Sequence, residues 1–284
     1  MKRSRIVFII LLSSTFLLYL NSGIPNSKAN PVWIYPAEFG GFIPKDDHSC
    51  SMPNASVLIE ISTPNPNIQY DRYELEFTGN YSLYNPNNPL NLTIAAPFSS
   101  YVFGENSTCI IKINDSIIPY KVIQYHWNES YSWDEYISIH NRNLIICNIT
   151  LPMNKTVILE YKFESYLERP RMNIDSLEFH YDVGTAAAWN GTISETVEFK
   201  VHGRQPDSYS NNNNPRIIDI SDGKRYIWEW RNIVIPIGMY SVYISYKGYY
   251  DHYAISLGNY YFVFFLFGII SLIILQRSVK LIKK

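Results

Sequence analysis

Residues with chemical potential crowd into one stretch, His180 to Thr192, HYDVGTAAAWNGT. Glu178, His180 and Asp182 are spaced two apart, so on a strand they share one face. An imidazole between carboxylates is a vocabulary for moving protons. The same alternation also produces a merely solvated strand face, and that is the stronger reading. Further along, Trp228 and Trp230 flank Glu229 and share a face. Two indoles could stack a sugar, but with Tyr226 they also form an inward aromatic stripe, and large aromatics dominate core burial. Trp189 is a possible binding residue at a loop tip, or a cap folded back on the core edge. The six histidines, His48, His126, His140, His180, His202 and His252, never pair with cysteine at ligand spacing. No HExxH, CxxC, GxSxG, P-loop or GxGxxG occurs. The sequence therefore nominates no catalytic, cofactor-binding or metal-ligating residue.

The ends of the chain speak for a compartment. Met1-Lys2-Arg3-Ser4-Arg5 precedes an apolar run from Ile6 to Leu20, followed by small residues at Ser27-Lys28-Ala29. This order predicts a signal peptide over 1–29, with a second possible cut after Gly23 and an uncut anchor as the alternative. Ile255 to Leu275 carries no charge in 21 residues, long enough to span a bilayer as a transmembrane helix. Tyrosines crowd its N-terminal side, and Arg277, Lys280, Lys283 and Lys284 follow it, so 276–284 is expected as a cytoplasmic basic tail. The chain reads as single-pass, with the body extracellular and the C-terminus cytoplasmic. Three of the 24 basic residues precede Ile6 and four follow Leu275, leaving 17 against 25 acidic residues, or −8, for the middle of the chain from Ile6 to Leu275. An acidic body has no electrostatic claim on nucleic acid.

Between the ends the texture is β. Tyr73, Leu75 and Phe77 alternate with Glu74, Glu76 and Thr78. Val157, Leu159, Tyr161 and Phe163 repeat the pattern, as do Leu177, Phe179, Tyr181 and Val183, and Val197, Phe199 and Val201. Period two with aromatic and β-branched residues means half-buried strands. Many short strands separated by Asn-, Pro- and Gly-rich turns predict an all-β fold of two antiparallel β-sandwich-like domains, over 30–165 and 174–250, outside the membrane. ESYLERPRMN, Glu164 to Asn173, is the expected linker.

Nine Asn-x-Ser/Thr sequons, at Asn54, Asn80, Asn91, Asn106, Asn114, Asn128, Asn148, Asn154 and Asn190, support an exported glycoprotein surface. They also orient strands. Asn114 outward turns Ile113, Ile111 and Cys109 inward, and Asn148 outward turns Cys147 and Ile145 inward. A Cys109–Cys147 disulfide is the preferred pairing in an oxidising compartment. Cys50 is the odd one out, unless it takes either partner or all three are simply core residues.

The run GNYSLYN from Gly79, LTIAAPF from Leu92, LPMNKTVILEY from Leu151, and Tyr181-x-x-x-Thr185-x-x-x-Trp189-x-Gly191-x-Ile193 resemble a set of exported prokaryotic ectodomains with paired β-domains. The likeness covers roughly Ser56 to Tyr246 and departs at Ala187, where the pattern has Gly. It implies export and β-architecture and no particular activity. The expected function is a membrane-anchored extracellular binding or structural surface protein. Its partners are the lipid bilayer and a surface protein, a glycan or a membrane subunit. The alternatives are an exported hydrolase or an accessory subunit stabilising a polytopic membrane protein.

Overall fold

The computed structural model describes residues 34–45, 48–63, 73–99, 102, 107, 109–124, 141–167, 174–211, 213–236 and 241–249. The expected signal peptide over 1–29, the C-terminal apolar run, Asn106, Asn128, and His126, His140 and His252 lie outside them.

The described elements follow in this order: β1 (Ile34–Gly40), β2 (Ile43–Pro44), β3 (Ser51–Ser62), β4 (Tyr73–Asn85), β5 (Leu90–Ser99), β6 (Cys109–Ile113), β7 (Ser116–Ile117) and β8 (Tyr120–Gln124). Then come β9 (Asn141–Leu151), β10 (Lys155–Leu167), β11 (Ile174–Asp182), a 3-10 helix (Val183–Ala188), β12 (Ile193–His202), β13 (Ser208–Tyr209), β14 (Arg216–Ile220), β15 (Gly223–Ile233) and β16 (Ser241–Tyr249). The long strands bury alternate residues, as in β12, where Ile193, Glu195, Val197, Phe199 and Val201 point inward. Every apolar stripe expected from period two faces the interior.

Two sheets result. The first runs β13-β16-β11-β1-β5-β9-β8, with β2 also on β5, and the second runs β14-β15-β12-β3-β4-β10-β6-β7. They pack face to face through rings from both: Phe39 of β1 meets Phe77 of β4 at 6.0 Å and Phe163 of β10 at 6.2 Å. Phe98 of β5 meets Phe163 edge-on at 5.0 Å. Such offset and edge contacts are the favourable geometries for aromatic packing.

The fold is all-β, but the sheets are mixed rather than antiparallel. β1 pairs with β11 in parallel, and β3 pairs with β12 in parallel. These pairs also correct the expected division. Segments on either side of 168–173 each supply strands to both sheets, and the two parallel ladders join them into continuous sheets over one principal core. Of the expected linker Glu164–Asn173, Glu164–Leu167 belong to β10 and 168–173 lie outside the described residues. Composition could not reveal that the opening strands of the two halves hydrogen-bond to each other, because pairing across more than a hundred residues leaves no local signal.

Candidate functional site

The outer face of the second sheet carries an aligned row of acids. Alternation turns Glu60 of β3, Glu74 and Glu76 of β4, and Glu164 and Tyr166 of β10 away from the core. Register then aligns them: Glu60 lies opposite Glu76, and Glu76 opposite Glu164, while Ser62, Glu74 and Tyr166 form the next row. Like charges directly opposite on neighbouring strands cost about 0.2–1 kcal/mol per pair. Among the described residues, only one end of the row is neutralised. Lys200 of β12, opposite Glu60, donates to both its carboxylate oxygens at 3.1 Å, and His202 Nε2 stands 3.4 Å from Glu60 Oε2. Beyond Lys200, Arg225 binds Glu198 through two donors at 2.5 and 2.6 Å. Among the described residues, Glu74, Glu76 and Glu164 make no ion pair. With Leu75 and Ser165 as floor and Tyr166 as one wall, the acids line an open groove of about 160 Å³.

This arrangement suits holding a cationic group better than transferring a proton. A general acid needs a carboxyl kept protonated near neutral pH, which burial provides. Glu74, Glu76 and Glu164 are exposed.

The carboxyls that burial does perturb lie between the sheets. Glu195 is 2 % exposed and accepts a hydrogen bond from the Tyr181 hydroxyl at 3.0 Å, a contact that joins β12 of one sheet to β11 of the other. Burial pushes its carboxyl up to about 8; the Tyr181 bond opposes this and the charge of Asp182 adds to it. Its second oxygen has no hydrogen-bond partner among the described residues, and neither does the buried hydroxyl of Tyr161. Asp182 caps the 3-10 helix by accepting from the Gly184 amide at 2.8 Å. Burial brings its carboxyl to about 6, with the Gly184 bond opposing, Glu38 raising and His180 lowering it. Gly41 lies against this cluster: its amide donates to Thr185 Oγ1 at 3.0 Å, and a Cβ there would sit 3.1 Å from the Tyr181 hydroxyl. The cluster is a packed interior, and it couples the fold to pH.

The other nominated residues fall as follows. Trp189, Trp228 and Trp230 are all buried, so none offers a face to a sugar. Trp189 Nε1 donates to the Phe42 carbonyl at 2.8 Å and its ring packs 5.1 Å from that of His48. A 3-10 helix, Val183–Ala188, leads into Trp189, and Gly191 (φ +87°) turns the chain back toward β12 in a conformation that favours glycine. The Glu178, His180, Asp182 triplet splits: His180 Nε2 lies 2.7 Å from Glu178 Oε2, holding that carboxyl below its usual range, while Asp182 serves the cap. No cluster of metal-ligating side chains occurs among the described residues.

The seven described sequons fall on outward positions or turns. Two of them interlock: Asn91 lies opposite Thr150 and Asn148 opposite Thr93, with each threonine hydroxyl donating to the facing asparagine at 2.7 and 2.8 Å. Cys50, Cys109 and Cys147 are buried free thiols, so the expected bridge is not formed. Cys109 and Cys147 do face one interior as predicted, and each is pushed up to about 12 by burial, with the charge of Cys109 adding to the effect on Cys147. They belong to different sheets, however.

Comparison with known proteins adds the fold and nothing finer. No family of known proteins and no curated protein matches this chain. Among solved structures it is similar to a candidate nutrient binding protein from Legionella pneumophila, with 15 % identity and a TM-score of 0.53 over 75 % of this chain and 71 % of that one. The likeness is one of fold. An M1 zinc metallopeptidase from Deinococcus radiodurans aligns at 9 % identity and a TM-score of 0.37, over 69 % of this chain and 42 % of the peptidase.

Sequence reasoning missed the acidic row and Glu195. The row needed cross-strand register, which no single strand encodes. Glu195 was within reach: extending the stripe of Val201, Phe199 and Val197 back by two residues lands on it.

Proposed function

We propose that this chain is a membrane-anchored extracellular binding protein whose ligand-facing surface is the groove of Glu60, Glu74, Glu76 and Glu164, selective for cationic groups. The observation that carries the reading is the aligned acidic row, paired among the described residues with a cation at one end only. A like-charge row that opposes folding is relieved when a cation occupies it, so binding and stability are linked. The neighbour from Legionella is itself described as a binding protein, which agrees with this class. The basic leader, the uncharged run 255–275 and the basic tail support export and anchoring.

Binding is tested with a tetralysine peptide against the full chain in mild detergent, by calorimetry at low and high salt. Saturable binding at low salt that is lost in the combined Glu74→Gln, Glu76→Gln, Glu164→Gln variant supports the groove. Equal binding by that variant rejects it. Anchoring is tested separately: protease added to intact cells should remove the body before about residue 255, and a protected body rejects the topology.

A further inference from the structure

Strand direction separates the two ends of the sandwich. At one end β3 and β12 begin and β4 and β15 finish. The short turns from β4 to β5 and from β9 to β10 cross between the sheets at that same end. At the opposite end β3 and β12 finish, and there the described chain both enters and leaves. Ile34 opens β1 opposite Ser176, and Tyr249 closes β16 opposite Ile174, at the beginning of β11.

The seven described sequons are distributed unequally between these ends. Asn54 lies opposite Ser82 and Asn80 opposite Ser56, in the half of the second sheet away from the entry end. Asn91 and Asn148 sit near the far end of the first sheet, beside Leu90 and Leu151. Asn154 is in the turn from β9 to β10, and Asn190 bridges to Ser51 at the start of β3. Asn114 bonds to Ile158, four residues into β10 from the far end. All seven described sequons therefore lie from mid-sheet to the end opposite the chain termini.

The sequence connects the entry end to the bilayer. Residues 250–254 separate Tyr249 from the apolar run at 255–275. Fully extended, that link reaches at most about 20 Å. On the other side, cleavage after Ala29 leaves only residues 30–33 before Ile34, and a retained N-terminal anchor would join at the same end.

We propose that the sandwich stands end-on to the membrane: the end where Ile34 enters and Tyr249 leaves rests at the lipid headgroups, and the sequon-bearing end points away. A glycan is bulky and hydrated and has no room between protein and bilayer, so the sequon distribution and the chain exits give the same orientation independently. The 13 residues of β4 run along this axis. At about 3.3 Å each they hold the glycan end roughly 40 Å above the headgroups. The acidic groove, only two residues from the membrane end of β3, then faces neighbours in the same membrane rather than a partner approaching from beyond the glycans. The inference rests on the anchored, extracellular reading above.

The test uses the full chain in vesicles containing nitroxide-headgroup lipid, with a fluorophore on Ser221→Cys in the turn before β15 or on Asn88→Cys in the turn after β4, both exposed. The unsubstituted chain is the labelling control, since its three cysteines are buried. Fluorescence should be lost to the quencher at position 221 and retained at position 88. Equal quenching at both, or stronger quenching at 88, overturns the end-on orientation while leaving the anchor intact. A chain that fails to float with the vesicles overturns the anchor reading, and the orientation with it.

Discussion

Glu195→Gln is the sharpest perturbation this structure offers. In the folded chain the Glu195 carboxyl titrates near 8, against about 4.5 in an unfolded one, because burial between the sheets disfavours its charge. Between those values the unfolded chain has released a proton that the folded chain still holds, so stability falls as pH rises from about 4.5 to about 8 and is level above. At about 1.4 kcal/mol for each tenfold change in proton concentration, the accumulated loss is roughly 5 kcal/mol. That is a large share of a typical total stability of about 5–15 kcal/mol. Glutamine keeps the shape of the protonated acid and an oxygen for the Tyr181 hydroxyl while removing the titration. Asp182, near 6, contributes its own loss below that pH and is left in place, so the variant's profile should still fall up to about 6 and then flatten. Denaturant unfolding of the full chain, followed by tryptophan fluorescence from pH 5 to 9, reads both curves. The two proteins should be closest near pH 5 and separate progressively from there to about pH 8, with the variant the more stable. Parallel curves from pH 6 to 9 would refute the buried-carboxyl reasoning.

Trp189→Ala should cost about 3–5 kcal/mol through the cavity left at the end of the core, and it also strands the Phe42 carbonyl; an unchanged melting temperature would return this loop to the search for a partner. Maleimide at pH 8 should leave Cys50, Cys109 and Cys147 unmodified in the native chain and label all three on denaturation. Native labelling would contradict their burial, and labelling of Cys109 and Cys147 only after reductant would restore the bridge expected from sequence. Glu76→Gln relieves like-charge contact with both Glu60 and Glu164 and should stabilise by about 0.2–1 kcal/mol per pair, a gain that disappears in high salt; a loss of stability would mean that the acids do not repel one another. The pair Tyr181→Phe with Glu195→Leu should raise stability at pH 8 but broaden or multiply the protein's NMR resonances, and one sharp set of peaks would remove any role for this pair in fixing register.

What could be read from the sequence followed from period two. The alternation in β4, β10, β11 and β12 assigned inward and outward faces correctly, and asparagine in outward positions oriented Cys109 and Cys147 before any coordinates. Trp228 and Trp230 fell on the core side by the same rule. Alternation is blind to what a strand pairs with. It could not distinguish two adjacent sandwiches from one in which β1 and β11, and β3 and β12, run side by side, because the stripes are identical in both. The acidic groove failed to show for the same reason: Glu60, Glu76 and Glu164 are dispersed over a hundred residues and become neighbours only through register.

That blindness is a problem for the chain as well as for its reader. Sliding β12 along β3 by one residue would turn every buried side chain outward, and the hydrophobic pattern forbids it. Sliding by two preserves both faces, so apolar alternation discriminates against it only through packing detail. The two halves of this sandwich meet through the parallel ladders β1–β11 and β3–β12, and no short turn fixes the register of either. The Tyr181–Glu195 bond supplies what the stripes lack. A two-residue slip of β12 would carry Glu195 about 7 Å from the Tyr181 hydroxyl and leave a buried carboxyl with no donor, at a penalty of about 1–3 kcal/mol even when protonated. A leucine at the same position would slip without that penalty. The stability that Glu195 forfeits as pH rises is thus set against the discrimination it provides between registers that look alike to every apolar residue around it.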